Sequence, residues 1–286
     1  MNDTRLVVVT GATGRQGGAV ARHLLAAGWR VRALTRDPSS PASGRLASAG
    51  AEVVRADMAS PDSLRPAFAG AHGVFSVQNP MISGLDEEVR QGRAVGDAAA
   101  SAGVRHVVYA SAGPGIPETG VRQWDNKLVV RAHLESLGLP LTVLRPMAFM
   151  ELMTDKDFYP PVSMWHLMPK LIGDDRPLPW LCADDVGAVA ARVFADPNKF
   201  AGVELPLGAD VRTIGECREL WREVSGRPPR GFPMPLWLFH RFVGDDLTRM
   251  WRWLRTHPVA FDLAETRAIA PSARTVREWL VQRTYS

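Results

Sequence analysis

Lysine is nearly absent from this chain of 286 residues: four lysines stand against thirty arginines. Guanidinium groups keep their proton at any physiological pH, so each lysine position is informative. The only two cysteines, Cys182 and Cys217, exclude a disulfide scaffold and a cysteine-based zinc site, and fit a reducing, intracellular compartment. Tyrosine occurs three times, at Tyr109, Tyr159 and Tyr285. No apolar run approaches the ~20 residues of a membrane span. The run Leu6–Val9 is too short for an export signal, and Asp3 stands where a positive flank is required. A cytoplasmic protein without membrane association is expected. The seven histidines form no His-Glu-x-x-His or similar pairing, so no metal is expected. There is no Gly-x-Ser-x-Gly elbow, no repeat and no low-complexity tract.

What is present is an ordinary folded composition, 46% hydrophobic and 22% charged, of a length suited to about two domains of ~150 residues. The net charge is +4. Its excess lies in the C-terminal quarter, where 13 arginines face 8 acidic residues from Arg212 onward. The signs are mixed along helical patterns, which suits a solvated helix surface better than a nucleic-acid interface.

The first half alternates strand-like and helix-like segments. Strands are expected at Leu6–Thr10, Arg30–Thr35, Ala51–Arg55, Gly73–Val77, Arg105–Ala110 and Leu141–Leu144. Helices are expected at Gln16–Ala27, from the cap Ser60-Pro61, at Leu85–Ala102 and over about 122–137. In the second half, 159–179 reads as irregular. Asp184 or Asp185 caps a helix to Phe194, and Val203–Leu207 is a further strand. Thr213–Glu216 and Thr275–Glu278 are capping boxes, each opening a helix that carries a tryptophan. Leu236–Leu254 reads as a Trp- and Arg-rich helical stretch. Trp237, Trp251 and Trp253 are expected as a pocket lid or lobe core. This alternation predicts an α/β fold: a Rossmann-type, doubly wound, mostly parallel sheet with a small, α-rich C-terminal lobe. The expected division is a dinucleotide-binding domain over 1–154, rejoined by about 184–207, and a substrate or partner lobe over 155–286, largely helical after 212 and packed over the strand ends.

The strongest local signal is Thr10-Gly-Ala-Thr-Gly-Arg-Gln-Gly-Gly18 between the first strand and the first helix. Gly11 allows the tight turn, Gly14 leaves room for a pyrophosphate, and Gly17 allows close helix–sheet packing. The helix N-terminus then offers N–H groups to phosphate. Gly11, Thr13, Gly14, Arg15, Gln16 and Gly17 are the cofactor-binding candidates of this turn. No Walker lysine follows, which argues against a triphosphatase. Arg36 ends the second strand, where an acidic residue would bind the ribose of NAD and a basic one the 2′-phosphate of NADP. NADP(H) is therefore favoured, with NAD(H) as the alternative, although Asp37 follows directly. Asp57, past the third strand, is placed either for the adenine amino group or as a turn aspartate.

In these segments, and in His-Val-Val-Tyr-Ala-Ser (106–111), Trp-Asp-Asn-Lys (124–127) and Leu-Arg-Pro-Met-Ala-Phe-Met-Glu (144–151), the chain resembles the NmrA-like branch of the atypical short-chain dehydrogenases/reductases over roughly residues 5–210. The resemblance implies either an NADPH-dependent reductase or an NADP(H) sensor that binds a regulatory protein. Most short-chain dehydrogenases use Tyr-x-x-x-Lys on the helix after strand five. Here Lys127 fills the lysine position and Gln123 the tyrosine position, and a glutamine amide supplies no proton at neutral pH. Lysine, unlike arginine, can act as an acid once burial lowers its pKa. Lys127 is thus a candidate for cofactor ribose contact, for catalysis, or for both. By the same resemblance Ser111 is a catalytic candidate, with a strand-end turn role as its alternative. Pro146 is a cofactor-lining candidate, and Leu152 replaces the asparagine usual in the family. The expected activity is reduction of an activated acceptor (a quinone, an enone or a related conjugated compound). The alternative is a non-catalytic redox sensor. The partner is then a small-molecule acceptor or a regulatory protein, with nucleic acid disfavoured and a homodimer left open.

Overall fold

A computed structural model describes residues 5–155, 163–230, 234–259 and 261–285. In chain order the elements are β1 (Leu6–Val9), α1 (Arg15–Ala26), β2 (Arg30–Thr35), α2 (Pro41–Ser48), β3 (Glu52–Arg55), α3 (Pro61–Phe68), β4 (Gly73–Ser76), α4 (Pro80–Ser83), α5 (Leu85–Ser101), β5 (His106–Ala110), α6 (Arg122–Ser136), β6 (Leu141–Pro146) and β7 (Ala148–Phe149). A 3₁₀ turn (Met150–Met153) and a π-helical turn (Ser163–Leu167) precede α7 (Met168–Ile172). Then come β8 (Leu178–Leu181), α8 (Ala183–Ala195), α9 (Pro197–Phe200), β9 (Glu204–Leu207), β10 (Asp210–Arg212), α10 (Ile214–Ser225), α11 (Leu236–Val243), α12 (Asp245–Thr256), α13 (Leu263–Ile269) and α14 (Val276–Tyr285). The chain forms two compact units, one of residues 1–115, 126–145 and 183–205, the other of 116–125, 146–182 and 206–286.

The first unit is built on a seven-stranded sheet ordered β3-β2-β1-β4-β5-β6-β9. The pairs from β3 to β6 are all parallel. A parallel strand covered on both faces needs a continuous apolar run, and all four residues of β1, Leu-Val-Val-Val, are buried. The strand order reverses between β1 and β4, the place where open α/β sheets bind ligands. Helices α5 and α6 pack against each other through two glycines. A Cβ on Gly92 would lie 2.6 Å from Val130 Cγ1, and one on Gly96 would lie 2.7 Å from Leu134 Cδ2. The helices can therefore approach closely, and the buried polar residues one turn before each contact are brought together.

The second unit carries a three-stranded sheet, β10-β8-β7. Trp180 of β8 is fully buried, and its indole N–H donates to the Arg212 carbonyl at 2.9 Å. Helix α10 packs on α14, and α7 on α12. Both capping boxes form: Thr213 Oγ1 accepts from Glu216 N at 3.0 Å while Thr213 N donates to Glu216 at 2.7 Å, and Thr275 and Glu278 make the same exchange.

Several expectations need correction. Helix α2 was not anticipated, although Ser40 caps it by accepting from Ser43 N. Ser60, by contrast, makes no side-chain cap bond. Asp184 and Asp185 lie inside the first turn of α8, not at its cap. The segment read as irregular over 159–179 lies partly outside the described residues. Its described part is mostly helical, because Met164, Trp165, Met168, Leu171 and Ile172 are all buried at helical spacing and Pro169 occupies the first turn of α7. The stretch Leu236–Leu254 is two helices, broken at Gly244, whose φ of 76° ends α11. No helix among the described residues is long and apolar enough to cross a membrane.

Candidate functional site

The glycine turn is fixed from below by Thr10. Its hydroxyl accepts from Val77 N at 2.9 Å and faces the Val77 carbonyl at 3.1 Å, tying the end of β1 to the residue after β4. Gly11 takes a φ of 57° against Val77, and a Cβ on Gly17 would lie 2.4 Å from the Gly11 carbonyl oxygen. Backbone cannot yield as a flexible side chain can, so this turn admits no larger residue at 17. Gly14 N donates to Gly11 O at 2.9 Å and closes the turn. Helix α1 then starts with no side-chain cap and no acidic residue in its first turn. Thr13 and Gly14 are exposed, Arg15 and Gln16 half-buried, and the buried Gln16 Oε1 has no partner. An uncapped helix start, with no acidic residue in its first turn and glycines at 11, 14 and 17 keeping the approach open, fits a dinucleotide pyrophosphate.

At the end of β2, Arg36 is exposed. Asp37 turns away into its own loop: its carboxylate accepts from Ser39 N at 2.9 Å and from Ser39 Oγ at 2.5 Å. The Ser39 hydroxyl and N–H together hold the Asp37 carboxyl below the usual range. Asp57 Oδ1 accepts from Ala59 N at 3.0 Å, which is a turn role for that oxygen.

Lys127 is 6% exposed. Its Nζ lies 2.7 Å from Glu88 Oε1 and donates to the Gln78 carbonyl at 3.2 Å. The Tyr109 ring centroid is 5.8 Å away. Glu88 is fully buried, and the glycine-lined approach of α5 to α6 explains how it meets Lys127. Glu88, Gly92 and Gly96 repeat every fourth residue on one face of α5. Glu88 Oε2, Gln78 Oε1 and Tyr109 Oη are buried without partners. Burial, and then the nearby Glu88 charge, push the Tyr109 hydroxyl well above its ordinary pKa, so it stays protonated. One path thus runs through the first unit, from the glycine turn through Thr10 and Val77 to Gln78, and from Gln78 to Lys127 and Glu88. Sequence reasoning missed Glu88. Its only signal was a carboxylate in register with two buried helical glycines.

Ser111 is buried just past β5, its N–H donating to Leu144 O at 2.8 Å, and Pro146 is buried at the end of β6. Gln123 is half-buried in the first turn of α6, with its backbone N–H donating to Asp246 Oδ2 at 2.9 Å. Trp251 is buried and stacks on Phe239 at 5.3 Å, which places it in the lobe core, while Trp253 is half-buried and meets Trp124 edge-on at 5.3 Å. Trp237 is 70% exposed. Among the described residues no three His, Cys, Asp or Glu side chains gather as metal ligands do.

The NmrA-like family model matches residues 3–280, and the chain belongs to that family. The NmrA-like family domain-containing oxidoreductase FrzB of Cladobotryum sp is 31% identical over 261 residues, covering 82% of this chain and 78% of that protein. The fold is similar to that of NmrA, a negative transcriptional regulator, with a TM-score of 0.80 at 21% identity, covering 98% of this chain and 95% of that one. It is also similar to the Citrobacter sp. triphenylmethane reductase complexed with NADP(H), with a TM-score of 0.76 at 19% identity, covering 98% and 99%.

Proposed function

We propose that this member of the NmrA-like family is an NADPH-dependent reductase of an activated, conjugated acceptor such as a quinone or enone. The observation that carries the reading is the buried Lys127, joined through Gln78 and Val77 to the glycine turn and held by Glu88 at 2.7 Å. The cofactor, when bound, supplies the hydride. The turn from Gly11 to Gly17 and the start of α1 hold its pyrophosphate. Arg36, with Asp37 engaged by Ser39, meets the 2′-phosphate and selects NADP(H) over NAD(H). Lys127 directs its ammonium to the ribose hydroxyls and to negative charge developing on the acceptor oxygen. Glu88 and the Gln78 carbonyl fix its direction. No tyrosine acid stands at Gln123, so the acceptor must be one whose reduced form takes its proton from water. That requirement points to conjugated acceptors rather than simple ketones. The oxidoreductase name of FrzB and the NADP(H) complex of the triphenylmethane reductase support this reading.

The same absence of a tyrosine acid, with the fold similarity to a transcriptional regulator, supports a second reading, a cofactor sensor without turnover. One experiment separates them. Quinones and enones are added with NADPH, and both NADPH absorbance and bound-cofactor fluorescence are followed in wild type and Lys127→Ala. Turnover that is lost in the variant while cofactor still binds supports the reductase. Tight NADPH binding with no turnover on any acceptor supports the sensor. In parallel, Arg36→Ala is expected to lose the preference for NADPH over NADH, and an unchanged preference would remove Arg36 from the site.

A further inference from the structure

We infer that the second unit carries a binding site for a small amphipathic organic anion between α7 and α12. A cavity of about 350 Å³ lies there. Its apolar wall includes Leu167, Leu171 and Leu236, and its polar wall is Lys170, Arg252 and Arg255, with no carboxylate in the lining. The sequence builds both walls from helical spacing. On α12, Trp251 and Leu254 point into the lobe core, while Arg252 and Arg255, three residues apart, share the outer face. On α7, Leu171 and Ile172 are buried and Lys170 is exposed.

The three cations lack a counter-charge among the described residues. Elsewhere in this unit basic side chains find carboxylates, as Arg218 does with Asp174 at 2.7 Å and Arg212 with Asp210 at 3.2 Å. The acids of α12 are already engaged. Asp245 Oδ1 meets His240 Nδ1 at 2.6 Å, and Asp246 accepts from the backbone N–H groups of Arg122 and Gln123. Lys170 Nζ lies 3.0 Å from His166 Nε2, which brings no negative charge. Arg176, which donates to the Arg255 carbonyl, adds a further positive group. Like charges that converge beside an apolar wall repel one another until an anion joins them. Arginine pairs best with a planar anion such as a carboxylate. The volume sits at the low end of small-molecule sites, which suits one small amphiphile and excludes a folded peptide or a polynucleotide strand. The apolar body of the ligand covers the leucines, and its charged head lies among the cations.

This site shares no residue with the proposed cofactor site, so the test is run without NADP(H). Decanoate, decanol and inorganic phosphate are titrated calorimetrically into the intact protein. Decanoate is expected to bind with one-to-one stoichiometry, decanol about ten-fold more weakly or worse, and phosphate not measurably. Arg252→Glu/Arg255→Glu is expected to weaken decanoate binding about ten-fold or more with an unchanged thermal midpoint, since both side chains are exposed. Lys170→Glu, on the other helix, is expected to weaken it as well and serves if the double variant does not fold. The inference is overturned if decanoate fails to bind, if decanol binds as tightly, if phosphate binds as tightly, or if neither variant weakens decanoate.

Discussion

Two of the four lysines set the two units apart. Lys127, in the first, is buried and brings its own carboxylate, Glu88, at 2.7 Å. Lys170, in the second, is exposed beside two arginines, and no carboxylate lines their cavity. A buried ion pair roughly breaks even against apolar side chains of the same shape, because desolvation offsets the attraction. Stability therefore does not account for the Glu88–Lys127 pair. What the pair supplies is a fixed direction for one ammonium. The open cations do the reverse: they leave charge unspent for something outside the chain. Positioning and affinity are thus assigned to different units by where the counter-charge comes from.

The largest expected effect tests the buried side. Lys127→Ala strands a buried carboxylate and is expected to cost about 3–5 kcal/mol in urea unfolding. Replacing both partners, as Glu88→Leu/Lys127→Met, is expected to return stability to within about 1.5 kcal/mol of wild type while cofactor turnover stays lost. Recovery of stability without turnover would separate direction from stability. If the double variant is as unstable as the single, the pair is a structural element and the contrast with Lys170 fails. Exchanging Arg252 and Arg255 for glutamate, by comparison, is expected to change unfolding by no more than about 0.5 kcal/mol.

The first unit was legible in sequence where one run of residues decides the structure alone. Leu6–Val9 is a continuous apolar run with three β-branched valines, and the helix of Leu85 runs to the glycine that ends it. Legibility failed where partners decide. Ser40-Pro41 and Ser60-Pro61 are the same two letters, yet Ser40 caps with its side chain and Ser60 does not. Met168 and Pro169 fall in the stretch read as irregular, but proline is tolerated in a first helical turn, and Met168, Leu171 and Ile172 around it are buried. The glycine turn could be read as a shape because its spacing is local. Glu88 could not be read as the partner of Lys127, because the two lie 39 positions apart and it takes contacts along both helices, at Gly92 and Gly96 among them, to bring them together. Asp246 and the start of α6 are farther apart still.

A smaller effect tests another buried titratable group of the first unit. His106 Nε2 lies 2.8 Å from Thr142 Oγ1, whose hydroxyl donates to Phe200 O at 2.6 Å. Thr142 must therefore accept, so His106 carries its proton on Nε2 and is neutral, with Nδ1 unpartnered. Burial, then repulsion from His72, lower its pKa from 6.5 to about 4. Above pH 6.5 neither state is charged and the residue adds no pH dependence. As pH falls below 6.5 the unfolded chain takes a proton that the folded one refuses, so stability declines until about pH 4. The loss amounts to about 3 kcal/mol. His106→Gln keeps an N–H for Thr142 and is expected to flatten that part of the urea-midpoint profile. An unchanged slope would place the titration elsewhere.

A smaller effect again lies on helix α6. Helix α6 begins in the second unit and continues into the first, and Lys127 stands one turn beyond Gln123. Its first turn is capped from far along the chain. Asp246 Oδ1 accepts from Arg122 N at 2.7 Å, and Oδ2 accepts from Gln123 N at 2.9 Å. Two orphan N–H groups at the positive end of the helix are satisfied by one carboxylate. Asp246→Ala removes both bonds and the charge, and is expected to cost about 1–2 kcal/mol. Asp246→Asn keeps one acceptor and loses the charge, for about half that. The difference between wild type and Asp246→Asn should shrink as salt is raised, because only the charge–dipole part is screened. A mere anchor would leave NADPH turnover unchanged in Asp246→Asn once the folded fraction is accounted for. Turnover that falls further would mean that the direction of Lys127 depends on the start of its own helix as well as on Glu88, and the site would then be less self-contained than its buried pair suggests.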